Sequence, residues 1–338
     1  MAREAGVSTA TAARALGGYG SVGVATKEVV LAAAERLGYR PNKLASSMIT
    51  GRTHSLGLIV GDIENPFFSR LARAVIDGAR RRGYDVLATN TDENIEAEQT
   101  ALRVLQEKRV DGLIVSPVSH LGDDRGAELA ALDVPLVLVD DYLEDLEVDS
   151  VISDNLEGAD EAVRALVDAG HRDIALITRS ASEHAGDIAQ LPVSRSGTER
   201  MRGYRAALER LGVPRRPEFE RRGGLRVEHG ALAMDALLAL PQRPTAVITT
   251  NAIIALGVLD SLRRHNLTAP ADMSIVSFDD PPWAAHTSPR LTTVDQPTAE
   301  IGDLAVNLLI DRIENIRSDF GVHRLPTRLI RRDSIRPR

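Results

Sequence analysis

The chain contains no cysteine, few aromatic residues and no long apolar run. Without cysteine, its 338 residues can form neither a disulfide nor a thiolate metal site. The sequence lacks the basic and apolar regions of a secretory signal, and no run reaches about 18 apolar residues. We therefore expect a soluble cytoplasmic protein with no membrane partner. Aromatic residues make up 3% and hydrophobic residues 43%, which suits alanine-, leucine- and valine-rich α/β interiors in two or three domains.

Sequence signatures of common enzymes are also missing. There is no Gly-x-Ser-x-Gly, Walker or His-Glu-x-x-His motif, and the eight histidines show no metal-ligand spacing. The acidic pairs Asp140-Asp141 and Asp279-Asp280 could suggest acid–base chemistry, but neighbours on an extended chain point to opposite sides. We expect one member of each pair to contact a cleft and the other to be solvated. The sequence thus predicts a protein that is not an enzyme and that uses no metal or cofactor.

One motif is a false lead. The run Gly18-Tyr19-Gly20-Ser21-Val22-Gly23 matches the dinucleotide fingerprint G-x-G-x-x-G, which has meaning only between a strand and a helix of a βαβ unit. Here it follows a predicted helix and precedes every predicted strand, so we interpret it as a flexible turn. A nucleotide-dependent oxidoreductase remains the weaker alternative, which a nicotinamide fluorescence assay would test.

Charge is distributed unevenly along the chain. Residues 1–53 carry seven Lys or Arg against three Glu, a net +4 within a chain of net −7, which leaves −11 downstream. A basic head on an acidic body suits a protein of which only the head approaches the phosphates of DNA. Chance fluctuation of composition is the alternative.

From residue 55 onward, short apolar runs alternate with amphipathic stretches, a pattern typical of βαβ units around a parallel sheet. In the first half, strands are predicted at 56–60, 84–89, 112–116 and 136–139. Apolar residues at three- and four-residue spacing predict helices at 67–82, 95–108 and 124–132.

A second α/β set follows. Its strands are predicted at 174–177, 246–249 and 274–278. Its helices are predicted at 158–169, 198–211, 228–240 and 253–265. Two similar halves imply a cleft between two doubly wound parallel-sheet subdomains, where the residues that follow the strands are candidate ligand contacts. A helix at 297–316 and a final run at 325–333 do not fit a simple succession, so we expect the chain to cross back between the halves near its end.

The first residues predict a small all-α helix-turn-helix head. Gly6-Val7-Ser8 has the composition of a turn, and its serine is a suitable N-cap for a helix over 9–16. That helix presents Thr9, Ala10 and Arg14 on one side. Arginine binds guanine O6 and N7, and the alanine and threonine methyls fit the thymine methyl, so these residues suit the major groove of DNA. A merely solvated helix surface would look the same in isolation.

The head forms part of a pattern that resembles the LacI/GalR family of transcriptional regulators. Its matching residues are Ala5-Gly6-Val7-Ser8, Arg14-Ala15-Leu16, Val22, Thr26, Leu37-Gly38-Tyr39-Arg40-Pro41-Asn42 and Gly51-Arg52-Thr53. The resemblance implies that the helix from Thr9 enters the major groove with positions 9, 10 and 14 facing bases. We expect DNA contacts from Ser8, Thr9, Ala10, Thr11, Arg14, Ser21, Asn42, Ala45 and Met48.

The resemblance also implies a hinge helix from Leu44 to Thr50, within a hinge and linker segment of residues 44–53. In this family the hinge helix folds on DNA binding and lies against its dimer mate in the minor groove. Met48 stands where family members usually insert a Leu between base pairs, and an apolar, flexible side chain suits such a wedge. A linker residue packed on the body is the alternative for Met48.

Two features of the head depart from the family pattern. Members usually begin several residues earlier with an Asp-Val-Ala, whereas Met1 stands where that Val would be. We expect the natural chain to be longer, because a head starting at Met1 would lose packing and phosphate contacts. Gly23 stands where the family prefers a Ser cap, and glycine is an acceptable N-cap at a cost of about a few tenths of a kcal/mol.

The resemblance continues into a periplasmic-binding-protein-like body. Its matching motifs are Asp62-Ile63-Glu64-Asn65-Pro66-Phe67-Phe68, Asp154-Asn155, Gly170-His171-Arg172, Arg200, Gly203-Tyr204, Asn251, Ala255-Leu256-Gly257, Phe278-Asp279-Asp280 and Leu291-Thr292-Thr293. Ala252 stands where members commonly have Asp, which removes a carboxylate near the cleft and allows a ligand other than the usual sugars.

A sugar or polyol needs polar partners for its hydroxyls and an aromatic face for its C–H groups. We expect the polar partners to be Asp62, Asn65, Arg200, Asn251 and Asp279. Phe67, Phe68 and Trp283 are the candidate aromatic contacts. The alternatives are a structural ion pair or cap for Arg200 and Asp279, and core packing for the two phenylalanines.

These inferences combine into one expected organisation. The head covers 1–43, the hinge 44–53 and the effector-binding body 54–338. Within the body we expect a first subdomain from 54–155 and 297–320, and a second from 156–296 and 321–338.

The function implied is that of a repressor of carbohydrate or related catabolic genes. It would bind a near-palindromic operator in double-stranded DNA as a homodimer, with a tetramer left open. A sugar-, polyol- or nucleoside-like effector in the cleft would change the angle between the halves. The main alternative is a solute-binding protein for a sugar-like ligand without DNA function.

Overall fold

The protein consists of a small helical head and a larger α/β body. The computed structural model describes residues 2–17, 21–39, 51–118, 125–179 and 194–338. The head contains α1 (Thr9–Gly17) and α2 (Val24–Arg36). Gly23 is the N-cap of α2 in an extended conformation, as the sequence predicts. Residues 18–20 of the predicted turn 18–23 lie outside the described residues, as does the whole of the predicted hinge helix 44–50.

The body consists of two subdomains, each built on a six-stranded sheet. The elements up to the first crossing between them are β1 (Ser55–Val60), α3 (Pro66–Arg81), β2 (Asp85–Asn90), α4 (Ile95–Glu107), β3 (Gly112–Val115), α5 (Arg125–Ala130), β4 (Leu136–Val139) and β5 (Asp149–Ser153). Those that follow are α6 (Asn155–Asp168), β6 (Ile174–Arg179), α7 (Arg195–Arg210), β7 (Glu220–Gly223), α8 (Val227–Leu238), β8 (Ala246–Thr249), α9 (Ala252–Arg264), β9 (Ser274–Phe278), β10 (Thr292–Asp295), α10 (Thr298–Ile313), β11 (Val322–Leu325) and β12 (Arg328–Ile330).

The first subdomain is a doubly wound parallel sheet with the strand order β11-β5-β4-β3-β1-β2. Alternate residues of β1 face opposite sides of it. Leu56 and Leu58 pack with α3 and α10 in one apolar cluster, whereas Ile59 packs with α4 in another. Because both faces are covered, the inner strands are continuously apolar, as is typical of parallel sheets.

The second subdomain repeats this plan with the order β12-β10-β9-β8-β6-β7. Its pairs are parallel except that β12 runs antiparallel to β10. Helices α8 and α9 cover one face of the sheet, and α6 and α7 cover the other. The predicted fold class, two doubly wound parallel-sheet subdomains beside a small all-α head, is confirmed.

The chain crosses between the subdomains three times. It leaves the first sheet after β5, returns to it between β10 and α10, and leaves it again between β11 and β12. The predicted return near the end of the chain is confirmed. The boundary predicted at residue 320 is wrong, because Val322–Leu325 pairs with β5 in the first sheet.

Four strands are absent from the sequence prediction, namely β5, β7, β10 and β11. Each carries polar residues at positions where the predicted strands are apolar, as in the Glu-Arg-Arg-Gly of β7. The other predicted elements occur within a few residues of their expected bounds. Among the helices of the described ranges, none combines the length and hydropathy required to cross a bilayer.

Candidate functional site

The first candidate site is helix α1 of the head. Ser8 caps it as predicted, because the Thr11 amide donates to the Ser8 Oγ at 3.0 Å. On its inner side, Ala12 and Ala15 pack against α2 in the small core of the head. The cap fixes where the helix starts, and the small alanines allow the two helices to approach closely.

The opposite side of α1 is open to solvent. Thr9, Ala10 and Arg14, the three side chains predicted to face bases, are all exposed, and Thr11 is half-buried. The Arg14 Nε donates to the Ala10 carbonyl at 3.3 Å, which lays the side chain along the helix surface. Ser21 is exposed just before α2. The predicted contacts Asn42, Ala45 and Met48 lie outside the described residues.

The second candidate site is a chamber between the two subdomains, which we call the inner chamber. It is a small space in this structure. Polar and aromatic residues from the carboxyl ends of strands in both sheets, and from the starts of α3 and α7, form its wall. They are Asn65, Phe67, Phe68, Asp140, Arg179, Ser194, Ser196, Gly197, Arg200, Thr250, Asn251, Asp279 and Gln296. This is where ligands bind in open α/β sheets.

Arg200 is the most heavily bonded residue of this wall. Its guanidinium donates to the Asn155 Oδ1 at 2.8 Å, the Thr250 carbonyl at 2.6 Å and the Gln296 Oε1 at 2.9 Å. It also lies over the Phe278 ring, 4.4 Å from its centroid. Burial lowers the pKa of Arg200, and the nearby Asp279 and Asp140 oppose that shift. A guanidinium held this firmly presents a fixed face to the chamber.

Asp279 and Asn251 are tied to the start of α9. The Ala252 amide donates to one Asp279 carboxylate oxygen at 3.1 Å, and the Gln296 amide donates to the other at 2.6 Å. Asn251 caps the helix by accepting from the Ile254 amide at 2.8 Å. Asp279 therefore has the structural role considered as its alternative, Asn251 is a helix cap, and both still line the chamber.

The first subdomain contributes Asn65, Phe67, Phe68 and Asp140. Asn65 caps α3 by accepting from the Phe67 amide at 3.1 Å. The two phenyl rings meet edge to face at 5.1 Å and belong to the apolar core, so they have both predicted roles of core residue and chamber wall.

Asp140 lines the chamber, as expected of one member of the Asp140-Asp141 pair, although it was not among the predicted effector contacts. It follows β4 with φ 66°, and burial raises its pKa to about 6. Within the described ranges, no side-chain hydrogen bond to its carboxylate occurs. A half-buried carboxylate without donors favours a ligand that supplies hydroxyl or amino hydrogens.

Two predicted residues do not line the inner chamber. Asp62 accepts from the Glu64 amide at 2.9 Å and lines a separate, larger space, which we call the outer chamber. Trp283 lies in the short helix Pro282–Ala285 and packs on the apolar core of the second subdomain. Its prediction as a stacking residue of this chamber is wrong, because the short helix turns its ring toward that core.

The acidic pairs also differ from expectation. Asp140 and Asp279 line the chamber, but neither of their neighbours is solvated. Asp141 accepts from the backbone amides of Tyr142 and Arg195, and Asp280 forms a two-pronged ion pair with Arg332. The chamber also contains Arg179, Ser194, Ser196 and Gln296, which were not predicted.

Position could have revealed two of these residues. Arg179 ends β6, and Gln296 follows β10, so the same rule that selected Asn251 and Asp279 applies to them. Their strands were predicted too short or not at all. No group of His, Cys, Asp and Glu able to hold a metal ion occurs in the part of the chain that the structure describes. The arrangement suits hydrogen bonding to a small hydroxylated molecule.

Comparison with known proteins connects both sites to one family. A family profile described as bacterial regulatory proteins, lacI family, matches residues 1–42, and one for a periplasmic binding protein-like domain matches residues 163–335. The ribose operon repressor of Escherichia coli (strain K12) is 35% identical over 313 residues, which cover 93% of this chain and 92% of that protein.

Two solved structures are similar over nearly the full length. A crystal structure of the lac repressor dimer bound to operator and the anti-inducer ONPF has a TM-score of 0.84 at 27% identity, covering 98% of this chain and 97% of that one. A complex of the transcriptional regulator CelR with cellobiose has a TM-score of 0.73 at 28% identity and covers 98% of both chains.

These matches decide between the two functions left open by the sequence. A solute-binding protein without DNA function would not account for the match of residues 1–42 to a regulatory head. The relatives named above are transcriptional regulators. The chain belongs to the LacI family and is a ligand-responsive, DNA-binding transcriptional regulator.

Proposed function

We propose that this regulator is a repressor that binds a near-palindromic operator as a homodimer. Its operator affinity changes when a sugar-, polyol- or nucleoside-like effector occupies the inner chamber. The observation that carries the proposal is the exposed face of α1, where Thr9, Ala10 and Arg14 lie together opposite the buried alanines. Similarity to a lac repressor dimer bound to operator supports the dimer and the type of DNA site.

The inner chamber supports the effector class. Its wall combines donors on Arg200 and Ser196 with acceptors on Asp140 and Asp279, beside the rings of Phe67 and Phe68. Hydroxyl groups both donate and accept, so a polyhydroxylated molecule meets all of these side chains. Similarity to a ribose operon repressor and to a cellobiose-bound regulator favours the same class.

The two-sided wall explains how an effector acts on the head. A molecule that bonds Asp140 of the first subdomain and Arg200 of the second binds the closed body more tightly than an open one. This differential affinity shifts the population of body states. The angle between the subdomains then sets how the two heads of the dimer are presented to successive half-sites.

Selection from random double-stranded DNA tests the operator proposal. We expect enrichment of a near-palindromic sequence. In fluorescence anisotropy, an isolated half-site should bind poorly, and affinity should fall steeply with salt as phosphate counterions are released. Failure to enrich any sequence, together with affinity that is independent of salt, would contradict the proposal.

Variants of two exposed arginines sharpen the same experiment. Arg14→Ala should weaken binding to the selected operator by about 10- to 100-fold, which corresponds to a lost base contact of about 1–3 kcal/mol. Arg103→Ala is the matched control, because Arg103 lies on α4 of the body in an exposed ion pair with Glu107. Its operator affinity should equal that of the wild type.

A thermal-shift screen of sugars, polyols and nucleosides tests the effector proposal. A molecule that binds the native body raises the melting temperature by mass action. We expect at least one such molecule to do so and to change operator affinity in the anisotropy assay. Stabilisation without any effect on operator binding would argue against a regulatory role of the chamber.

A further inference from the structure

A buried ion pair joins the two subdomains beside the inner chamber. The Arg179 Nη2 lies 2.6 Å from the Glu93 Oε1, and the two side chains are only 15% and 11% exposed. Arg179 ends β6 of the second subdomain, whereas Glu93 lies between β2 and α4 of the first. The pair therefore spans the cleft.

Both partners are held in place by the backbone around them. The Arg179 amide donates to the Thr250 Oγ1 at 2.9 Å, next to the carbonyl that accepts from Arg200. Glu93 adopts φ 57°, and its amide donates to the Gly61 carbonyl at 3.3 Å. A Cβ at Gly61 would lie 2.2 Å from the Glu93 Oε1, so the absent side chain makes room for the carboxylate.

The ion pair lies at the boundary of two spaces between the subdomains. On one side, Arg179 lies beside Glu93 and Phe68 lies beside Gly61, and both line the small inner chamber. On the other side, Asp62 and Asp92, the chain neighbours of Gly61 and Glu93, line the larger outer chamber. The outer chamber is bounded on the second subdomain by Leu225, Arg226, Val227, Glu228 and Ile253.

Because the Glu93–Arg179 pair is largely buried, it separates the inner chamber from the outer chamber firmly. A ligand that extended from one chamber into the other would have to separate Glu93 from Arg179 and leave both charges without their partner in a poorly solvated place. Such a separation reduces affinity by about a hundredfold or more. A ligand of one ring would leave the pair intact and be enclosed by it.

We propose that the Glu93–Arg179 ion pair is a specificity gate that limits the effector to a single sugar ring by closing the inner chamber from the outer one. This inference rests on the proposed function, in which the inner chamber binds the effector. The Arg179 Nη2 is buried and makes no aligned hydrogen bond with described residues, so it retains capacity for an oxygen of the enclosed ring.

Calorimetric titration with one-ring and two-ring probes tests the gate. The probes are D-ribose and cellobiose, and the proteins are the full-length wild type, Arg179→Ala, Glu93→Ala and the double variant. The double variant leaves no unpaired buried charge, so it keeps the test valid if either single variant unfolds. Arg103→Ala is the control, since it removes an equivalent arginine from an exposed ion pair.

We expect the ratio of cellobiose affinity to ribose affinity to rise at least tenfold in the double variant and to stay unchanged in Arg103→Ala. Two results would overturn the gate. One is a wild type that binds cellobiose as tightly as ribose. The other is a double variant that gains no cellobiose binding, including the case in which none of the proteins binds either sugar.

Operator binding separates this failure from failure of the proposed function. If only the gate is wrong, the wild type and the double variant both still select a near-palindromic DNA sequence. If the proposed function is wrong, the wild type itself selects none, whatever the sugars show.

Discussion

Each wall of the inner chamber carries an aspartate at the equivalent position, but the two aspartates differ in the hydrogen bonds that they accept. Asp140 follows β4 of the first subdomain and Asp279 follows β9 of the second, both in the left-handed region with φ 66° and 70°. Asp279 accepts two hydrogen bonds, whereas the Asp140 carboxylate accepts none from the described residues. The aspartate of the second wall thus has hydrogen-bond partners within the protein, whereas that of the first is a half-buried carboxylate without a described donor.

This contrast indicates an order of events. Arg200, Asn251 and Asp279 are preorganised by their own hydrogen bonds, so a ligand gains from them without ordering them. Under the proposed function, Asp140 gains its partner only when the subdomains close over an effector. Substitutions in the second wall should therefore disturb folding and binding together, and substitutions at Asp140 should separate the two.

The largest effect is expected at Arg200. Arg200→Met leaves three buried acceptors without their donor, so the free energy of unfolding should fall by at least about 3 kcal/mol, and effector affinity should fall at least about 100-fold. Denaturant titration and calorimetry measure the two quantities. Arg205→Met is the control on the same helix, since Arg205 is 37% exposed in its ion pair with Glu220. Equal losses for both variants would show that the second wall is not preorganised.

Substitution of Asp140 should raise the free energy of unfolding, the opposite of the effect expected at Arg200. Its pKa is raised from 3.8 to about 6 by burial, so the folded state holds a proton that the unfolded chain has already lost between those pH values. Stability therefore falls as pH rises through this window, and the penalty is fully present above it. Asp140→Asn removes the penalty and should stabilise the protein by about 2–3 kcal/mol above pH 7.

The pH dependence of this difference is the check. Unfolding free energies of Asp140→Asn and the wild type should converge below about pH 4, where the carboxyl is protonated in both states. The variant should also bind the effector more weakly at neutral pH. A difference in stability that is independent of pH would contradict the burial of an unpaired carboxylate.

Helix packing behind the two walls gives a third test. A Cβ on Gly203 of α7 would lie 2.5 Å from the Leu156 carbonyl oxygen, a backbone atom that cannot move aside. Gly203→Ala should destabilise the protein by about 2 kcal/mol through overpacking. Gly78→Ala on α3 is the matched change, because its Cβ would meet only side-chain atoms at 3.2–3.6 Å. Its melting temperature should stay level or rise, as alanine is the better helix former.

The smallest effect is expected at Asp279. Asp279→Asn keeps one acceptor oxygen but faces an NH₂ group toward a donor, so about 1 kcal/mol of stability should be lost. Thermal melts of Asp279→Asn and Asp140→Asn at pH 7 then compare the two walls directly. If both variants melt at a higher temperature than the wild type, the two aspartates do not differ in how well the protein satisfies them.

The sequence predicts the parts of this fold that depend on local pattern. Strands such as β3 and β8 are continuous apolar runs, and the helices carry apolar residues at helical spacing. Strand β5 escapes this rule because its buried Asp149 is neutralised by Arg312, a residue far along the chain. Strand β11 pairs with β5 only because the chain has returned to the first subdomain at the second crossing, so no local pattern assigns it to a subdomain.

The site residues also divide into those that local sequence pattern predicts and those that only tertiary packing decides. Arg200, Asn251 and Asp279 were found because they follow strands or lie on helices at the expected cleft. Trp283 was misplaced because only the packing of its short helix decides which way the ring faces. The partition by Glu93 and Arg179 requires the closure of two subdomains, which sequence spacing does not describe.

The bonding of Arg200 has a consequence for redesign of this scaffold. Two of its acceptors, Asn155 and Gln296, lie at the first and second crossings between the subdomains. The Asn155 side chain in turn donates to Glu199, which also accepts from Arg324, a residue just before the third crossing. Arg200 thus connects the three crossing segments through hydrogen bonds and also lines the inner chamber. Ligand specificity is better redesigned by changing Ser194, Ser196 or Phe67, because a substitution of Arg200 would also change how easily the two subdomains move relative to one another.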